Sequence, residues 1–280
     1  MVNLEEKINR KCGFCGGDLY VLASYKYPPK GETNFNLEPY WRRLLKCRQC
    51  GHSVNQHCFE FNTDFYSNLY SASTYKGQLR SRFQKIMSLP FDSSDNQQRF
   101  DFISKFIIEL NGSTPSRCLD VGSGLGVFPA LLKESNWTCT ALEPDPIACN
   151  LISELVGVET INTHFMNVKN IGLFDLITFN KVIEHVRNPV SFVKASKKLL
   201  PPRGIVYIEV PDGEMALKNN GTESEEFFIE HFDIYSKNSL ECLFNMAGFE
   251  ILLLQNVTEP SGKFTIRGFA KMPENSAIDE

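Results

Sequence analysis

The sequence predicts an α/β protein: a parallel sheet with helices on both faces, preceded by a small cysteine-rich module. Three observations predict it. From residue 117 onward, short apolar runs alternate with helical segments, and that alternation calls for crossover connections between parallel strands. A glycine-rich turn joins the first of those runs to the helix after it. Of nine cysteines, five (Cys12, Cys15, Cys47, Cys50 and Cys58) fall within residues 1–60.

A chain of 280 residues suits one large domain plus an appendage. With 42% apolar and 22% charged residues it is neither disordered, collagen-like nor a coiled coil. A net charge of −4 excludes a general nucleic-acid or anionic-membrane binder. No run approaches the ~20 apolar residues of a bilayer span. Residues 1–10 mix Glu5, Glu6, Lys7 and Arg10 with no apolar core, so no secretory signal is expected and the location is cytoplasmic. An odd cysteine count fits that reducing compartment, leaving the cysteines as metal ligands, core fillers or reactive thiols.

In chain order, Cys12/Cys15 and Cys47/Cys50 form two C-x2-C turns, each followed by glycine and separated by 31 residues. Between them lie a strand-like run at 19–23, a Pro28-Pro29-Lys30-Gly31 breaker and an aromatic stretch ending in Tyr40-Trp41. The polar segment to residue 76 carries Tyr66, Tyr70 and Tyr75 without a clean period and reads as irregular or partly helical. A helix is predicted over 95–110, with Phe100, Ile103, Phe106, Ile107 and Leu110 on one face and Asp92 or Ser94 as its cap. The run Asn111-Gly112-Ser113-Thr114-Pro115 stops it. Strands at 117–121, 138–142, 173–179 and 204–210 then alternate with helices at 127–134, 146–155 and 190–199. A helix at 239–247, stopped by Gly248, precedes late strands at 250–255 and 264–272.

The sharpest motif is Leu119-Asp120-Val121-Gly122-Ser123-Gly124-Leu125-Gly126 between the first core strand and its helix. Glycines there let the backbone approach a ligand. Glu143 ends the next strand, in Ala141-Leu142-Glu143-Pro144-Asp145, where an acid can accept hydrogen bonds from both ribose hydroxyls. Loop and acid together indicate a nucleoside-containing cofactor. A dinucleotide fingerprint is G-x-G-x-x-G, whereas the spacing here is G-x-G-x-G. Asp120 under the loop repels a pyrophosphate and suits an ammonium group, which favours S-adenosylmethionine over NAD.

These residues resemble class I S-adenosylmethionine-dependent methyltransferases. The resemblance also takes in Phe174-Asp175-Leu176-Ile177, Val182-Ile183-Glu184-His185-Val186 and the strand at 204–211, and covers about 112–272. It implies a Rossmann-like sheet of seven strands with the last antiparallel. It also implies that Asp120, Gly122, Ser123 and Gly124 line the methionine end, that Glu143 with Pro144 meets the ribose, and that Asn180 borders the sulfonium. Where the family often has an acid for adenine, this chain has Thr163-His164-Phe165-Met166-Asn167, and apolar stacking by Phe165 or Met166 could replace it.

The two cysteine turns suit a four-cysteine tetrahedral zinc site with a structural role, Cys12, Cys15, Cys47 and Cys50 being the ligands. Four unrelated thiols are the other reading, and His52, His57 and Cys58 are candidate substitutes. Residues 1–60 carry nine Lys+Arg against six Asp+Glu, and four thiolates with one zinc remove two of those three net charges. Trp41-Arg42-Arg43 with Lys46 could grip phosphates, or could be a solvated strand face. Zinc ribbon plus methyltransferase core resembles the sugar C-, N- and O-methyltransferases of antibiotic and surface-polysaccharide pathways, over nearly the whole chain. Glu230-His231-Phe232-Asp233-Ile234-Tyr235-Ser236 resembles their Glu-His-x-x-x-(Phe/Tyr)-Ser element. What this implies is a small polar substrate, a sugar or nucleotide-linked sugar, with His231 as catalytic base beside Glu230.

Methyl transfer from a sulfonium needs alignment and can need a proton acceptor, a role that suits histidine. His185 is expected at the same edge as a substrate- or cofactor-site residue, and a structural hydrogen bond is the alternative for both histidines. Tyr75 and Tyr235 are possible substrate contacts. Cys118, Cys139 and Cys149 read as small core residues. Phe227-Phe228-Ile229 is a lid or plain core. The expected division is a zinc ribbon at 1–60, a linker and helical lid segment at 61–111 and the cofactor-binding core at 112–280. Two other functions compete: an RNA methyltransferase holding RNA with its zinc module, and a non-catalytic cofactor-binding partner subunit. Oligomeric state is left open.

Overall fold

In a computed structural model of the chain, which describes residues 10–33, 35, 38–57, 59 and 78–273, the cysteine turns bracket a small antiparallel sheet. Strand β1 (Leu19–Tyr25) pairs with β2 (Arg42–Cys47), and β2 pairs with β3 (Ser53–His57). β1 runs two residues beyond the predicted strand. β3 is polar and has no strand pattern of its own; its pairing with β2 makes it one. Cys58, Tyr66, Tyr70 and Tyr75 lie outside the described residues.

Two helices lead into the core, α1 (Leu79–Met87) and α2 (Asp95–Asn111). Of the two candidate caps, Ser94 serves: its hydroxyl accepts the Gln97 amide at 3.2 Å. Ile103 and Ile107 on α2 are fully buried, whereas Leu110 in the last turn is exposed. There follow β4 (Cys118–Val121), α3 (Val127–Glu134), β5 (Cys139–Leu142), α4 (Pro146–Leu155), β6 (Glu159–Ile161) and β7 (Leu176–Asn180). The chain continues with α5 (Pro189–Ala195), β8 (Ile205–Pro211), α6 (Gly213–Asn220), β9 (Asp233–Ile234), α7 (Lys237–Ala247), β10 (Glu250–Thr258) and β11 (Phe264–Lys271). The helix predicted at 190–199 is split: α5 gives way to a 3-10 turn at Ser196–Leu199.

Seven of these strands form one sheet in the order β10-β11-β8-β7-β4-β5-β6. Strands β6, β5, β4, β7 and β8 are parallel, and β11 is antiparallel to both its neighbours. This is the Rossmann-like sheet with its last strand reversed that the resemblance implies. From β4 the chain winds outward to β6, then returns to β7 on the other side. Strand order therefore reverses between β4 and β7, and such a switch point opens a crevice at the strands' carboxyl ends. Leu119, Phe179, Ile208 and Phe244 pack one face of the sheet, and Ile103, Phe128, Tyr207 and Phe269 the other. Cys118, Cys139 and Cys149 are buried, as core residues should be.

β9 does not join the main sheet. It pairs with β3, Ser53 opposite Ile234 and Val54 opposite Asp233, and becomes the fourth strand of the N-terminal sheet. The two parts thus share a sheet. No helix among the described residues is long and apolar enough to cross a membrane.

Candidate functional site

The glycine loop leaves β4 at the switch point. Gly122 has φ 70° and an added Cβ would stand 2.7 Å from Val182, so the tight approach of loop to neighbouring turn demands glycine. Gly124, at φ 53°, differs: a Cβ there would meet nothing within 4 Å. The loop therefore faces open space at Gly124. Ser123 turns inward, its hydroxyl donating to the Asp120 carbonyl at 2.9 Å.

Asp120 is 2% exposed. Its Oδ1 accepts the Thr178 hydroxyl at 2.7 Å and the Asn180 amide nitrogen at 2.8 Å. Burial pushes its carboxyl up to about 6, against the pull of those donors. Because Asn180 donates through Nδ2, its Oδ1 is fixed as an acceptor, and that buried oxygen has no hydrogen-bond partner among the described residues. Glu143 accepts the Gly124 amide at 2.7 Å and the Asp145 amide at 2.9 Å. Burial outweighs both donors and lifts it to about 7. Asn162 Nδ2 ties down the Glu143 and Pro144 carbonyls at 2.9 and 3.0 Å. An acid, an unsatisfied amide oxygen and an open glycine cradle fit a ligand with an ammonium end and a ribose.

Phe165 lies in the core, its ring 5.5 Å from Phe179 and 4.9 Å from Phe192. Of the two apolar side chains expected near adenine, Met166 is the one left exposed.

The histidines converge beside the loop. After Asn180, Lys181 takes a left-handed φ of 58°, and a 3-10 turn at Ile183–His185 follows. Phe232 donates its amide to the Glu184 carbonyl at 2.8 Å, joining this turn to the Glu230-His231 segment. The His185 and His231 rings sit 4.8 Å apart at 64°. His185 Nδ1 bonds the Glu230 carbonyl at 3.0 Å, and His231 Nδ1 bonds the Glu226 carbonyl at 2.9 Å. A carbonyl only accepts, so each Nδ1 carries the proton and each Nε2 is the basic nitrogen. Burial lowers His185 to about 4 and His231 to about 3, so both rings are neutral at pH 7. It also lifts Glu184 to about 8 and Glu230 to about 7. Glu184 is 1% exposed, and ligand-type atoms of Glu184, His185 and His231 lie within 4.8 Å of one another. Each imidazole Nε2 in the cluster can accept a proton.

Behind it lies a buried charge network with no signature in the sequence, since its bonded pairs are up to 160 residues apart. Glu209 on β8 accepts Arg99, Arg267 Nε at 2.8 Å and the Tyr207 hydroxyl at 2.8 Å. Glu259 pairs with Arg99 and Lys181, both at 3.2 Å. Lys181 also donates its amide to the Glu209 carbonyl at 2.9 Å, which holds the turn between Asn180 and His185.

In the N-terminal sheet the four sulfurs gather within 4.8 Å. Cys12 and Cys50 are 3.7 Å apart and Cys15 and Cys47 3.4 Å. A tetrahedron of Zn–S bonds about 2.3 Å long has edges of about 3.8 Å. The amides of Gly17 and Gln49 point at Cys15 and Cys47 sulfurs at 3.4 Å, the second set of bonds that thiolate ligands take. His52 is not among these ligands: it is buried, bonding Asp233 at 2.9 Å and Ser239 at 3.2 Å.

Two expectations are corrected. Arg42 cannot grip phosphate. It is fully buried, because strand alternation turns it inward to pair with Glu32 at 3.0 Å and stack over Tyr25 at 3.9 Å. Tyr235 cannot touch substrate, being wholly buried against Phe14 and His52. Phe227 and Ile229 are likewise buried core.

A sequence profile described as a methyltransferase domain matches residues 95–254. The C-methyltransferase NovU of Streptomyces niveus is 24% identical over 276 residues, covering 91% of this chain and 60% of NovU. This chain therefore spans less than two thirds of that relative's length. A ubiquinone biosynthesis O-methyltransferase of Haemophilus ducreyi is 25% identical over 52% of this chain and 73% of its own. Among solved structures, the 1,6-didemethyltoxoflavin-N1-methyltransferase of Burkholderia thailandensis, with bound S-adenosylhomocysteine, superposes with a TM-score of 0.52. It is 16% identical, covering 79% of this chain and 96% of that one. Magnesium protoporphyrin IX methyltransferase (ChlM) from Synechocystis gives 0.55 at 12% identity, covering 75% and 97%.

Proposed function

The chain belongs to the methyltransferase-domain family, and from that premise we propose that it moves a methyl group from S-adenosylmethionine to a small polar metabolite, a sugar or nucleotide-linked sugar. The observation that carries the reading is the juxtaposition at one sheet edge of a glycine cradle, its two acids and a pair of neutral imidazoles. Asp120 and the Asn180 oxygen would hold the ammonium end of the cofactor, Gly122, Ser123 and Gly124 would let it approach, and Glu143 beside Pro144 would take the ribose hydroxyls. When bound, the cofactor supplies an electrophilic methyl group. The chain's own part is to orient the acceptor and remove its proton. His231 Nε2 takes that proton, with His185 beside it.

The sugar reading is supported by the resemblance of the Glu230-His231 element and the paired cysteine turns, and by the similarity over 91% of this chain to NovU, named a C-methyltransferase. The burial of Arg42 takes one guanidinium out of the basic cluster that an RNA-holding module could have used. In this reading zinc fills the four-cysteine site as a structural ion. The chain then divides at residues 60 and 111, with β9 pairing into the N-terminal sheet. A cytoplasmic setting keeps the thiols reduced, and the pathway is one of carbohydrate biosynthesis.

Replacing His231 by alanine tests the mechanism. Methyl transfer should fall about 10²- to 10⁴-fold while S-adenosylmethionine affinity stays within about twofold. Undiminished turnover would remove His231 from the reaction.

A further inference from the structure

The segment carrying His231 is gripped from the N-terminal module by three buried polar side chains, Asn55 and Arg42 on strands and Glu32 in the connection between β1 and β2. Asn55 on β3 aims its Nδ2 at three carbonyls: Phe227 at 3.1 Å, Phe228 at 3.0 Å and His231 at 2.9 Å. Its backbone amide takes a fourth, Phe232, at 3.1 Å. Arg42 Nη1 holds the Asn55 side-chain oxygen at 2.9 Å and the Phe227 carbonyl at 2.7 Å. Glu32 accepts the Ile229 amide at 2.8 Å with the same oxygen that pairs with Arg42. Tyr40 bonds both partners of that pair, and the Tyr25 hydroxyl reaches the Thr222 carbonyl at 2.6 Å.

Burying a guanidinium is costly, and an apolar joint would hold two parts together at least as well. What directional bonds add is a fixed backbone path. Both imidazoles depend on it, because His231 hangs from the Glu226 carbonyl and His185 from the Glu230 carbonyl, each in the gripped segment.

We propose that Asn55, backed by the Arg42–Glu32 pair, is a positioning residue for His231 and His185, so that the N-terminal module is part of the transfer site and not a separate appendage. The proposal deepens the reading of His231 as base and rests on it for its effect on rate.

Two variants of the full chain test it, Asn55→Ala and the near-isosteric Asn55→Asp, which keeps the shape and removes the donor. Labelled methyl transfer into the small-molecule fraction of a cell extract should fall about 10- to 100-fold, as a misplaced catalytic group does. S-adenosylmethionine affinity should stay within about twofold. Nitrogen-15 NMR of the five histidines gives the readout that loss of folded protein would not move. Besides burial, His185, Lys181 and Lys263 hold the His231 pKa near 3, against the Glu226 carbonyl bond. Glu184 of the facing turn has a carboxyl oxygen within 4.8 Å of a His231 ring nitrogen, and Glu230 is the preceding residue on its own segment. Once released, the His231 ring should titrate closer to 6.5 and lose its single tautomer. Unchanged rate and unchanged His231 titration in both variants, with His231→Ala inactive, would overturn the proposal alone. Normal transfer by His231→Ala would instead overturn the base reading, and the titration would still decide the positioning.

Discussion

Asp120 and Glu143 are carboxylates taken out of water, and in the proposed reading each serves the cofactor. Asp120 already satisfies Thr178 and Asn180, so its conversion to asparagine keeps the shape and removes the charge facing the ammonium. A charge-assisted hydrogen bond contributes about 1.5–3 kcal/mol, so Asp120→Asn should weaken S-adenosylmethionine binding roughly 10- to 100-fold. Titration calorimetry measures this, and an unchanged affinity would remove Asp120 from the cofactor site. At this scale the sequence was informative where residues are local. Asp120, the glycines and Glu143 could be read from loop spacing and strand ends. His185 and His231 lie 46 positions apart and came together only through a resemblance. Asn55 and Glu32 left no sign, because the backbone they hold is more than 170 positions away. Arg42 was misread because an arginine pair on a short strand gives no indication of which member faces inward.

Elements behave differently, since what fixes β7, its turn and β8 is the network around Glu209. Removing one member strands buried charges of the opposite sign. Glu209→Ala should cost about 3–5 kcal/mol in urea unfolding, whereas Lys105→Ala, which breaks an exposed pair on α2, should cost under about 1 kcal/mol. Equal costs would show that the network is not what holds the turn. The histidine turn adds a pH dependence. His185 and His231 titrate near 6.5 when unfolded and near 4 and 3 when folded, so between those values the unfolded chain binds more protons. Stability from this pair is therefore present above about 6.5 and lost as pH falls toward 3. Glu184 and Glu230, raised from 4.5 to about 8 and 7, act oppositely: their contribution is present below 4.5 and lost as pH rises through 7 to 8. Unfolding of His231→Ala followed against pH should show a shallower acid-side loss than the parent. Longer helices and strands were legible from apolar periodicity; β6 and β9, of three and two residues, are too short to show a period, and pairing alone makes them strands.

At the scale of the whole molecule, the shared sheet ties the cysteine cluster to the segment that follows His231, and the proposed transfer site should respond to the state of the cysteines. The Cys50 carbonyl accepts the Ser236 hydroxyl, and Ser236 caps α7 immediately after β9. A strong chelator should remove one zinc per chain, lower the melting temperature and reduce methyl transfer together. Metal content by mass spectrometry with parallel activity checks this, and full activity of a metal-free chain would contradict it. The seven-stranded sheet and its reversed last strand followed from the resemblance. The lending of β9 to the N-terminal sheet did not, because a two-part reading of the chain assumes that each part closes its own sheet.

Transfer of labelled methyl from S-adenosylmethionine into a fractionated cell extract tests the central claim most directly. The account predicts label in the small-molecule fraction, and its loss with His231→Ala. Label in the RNA fraction, or bound cofactor with no label anywhere, would contradict it.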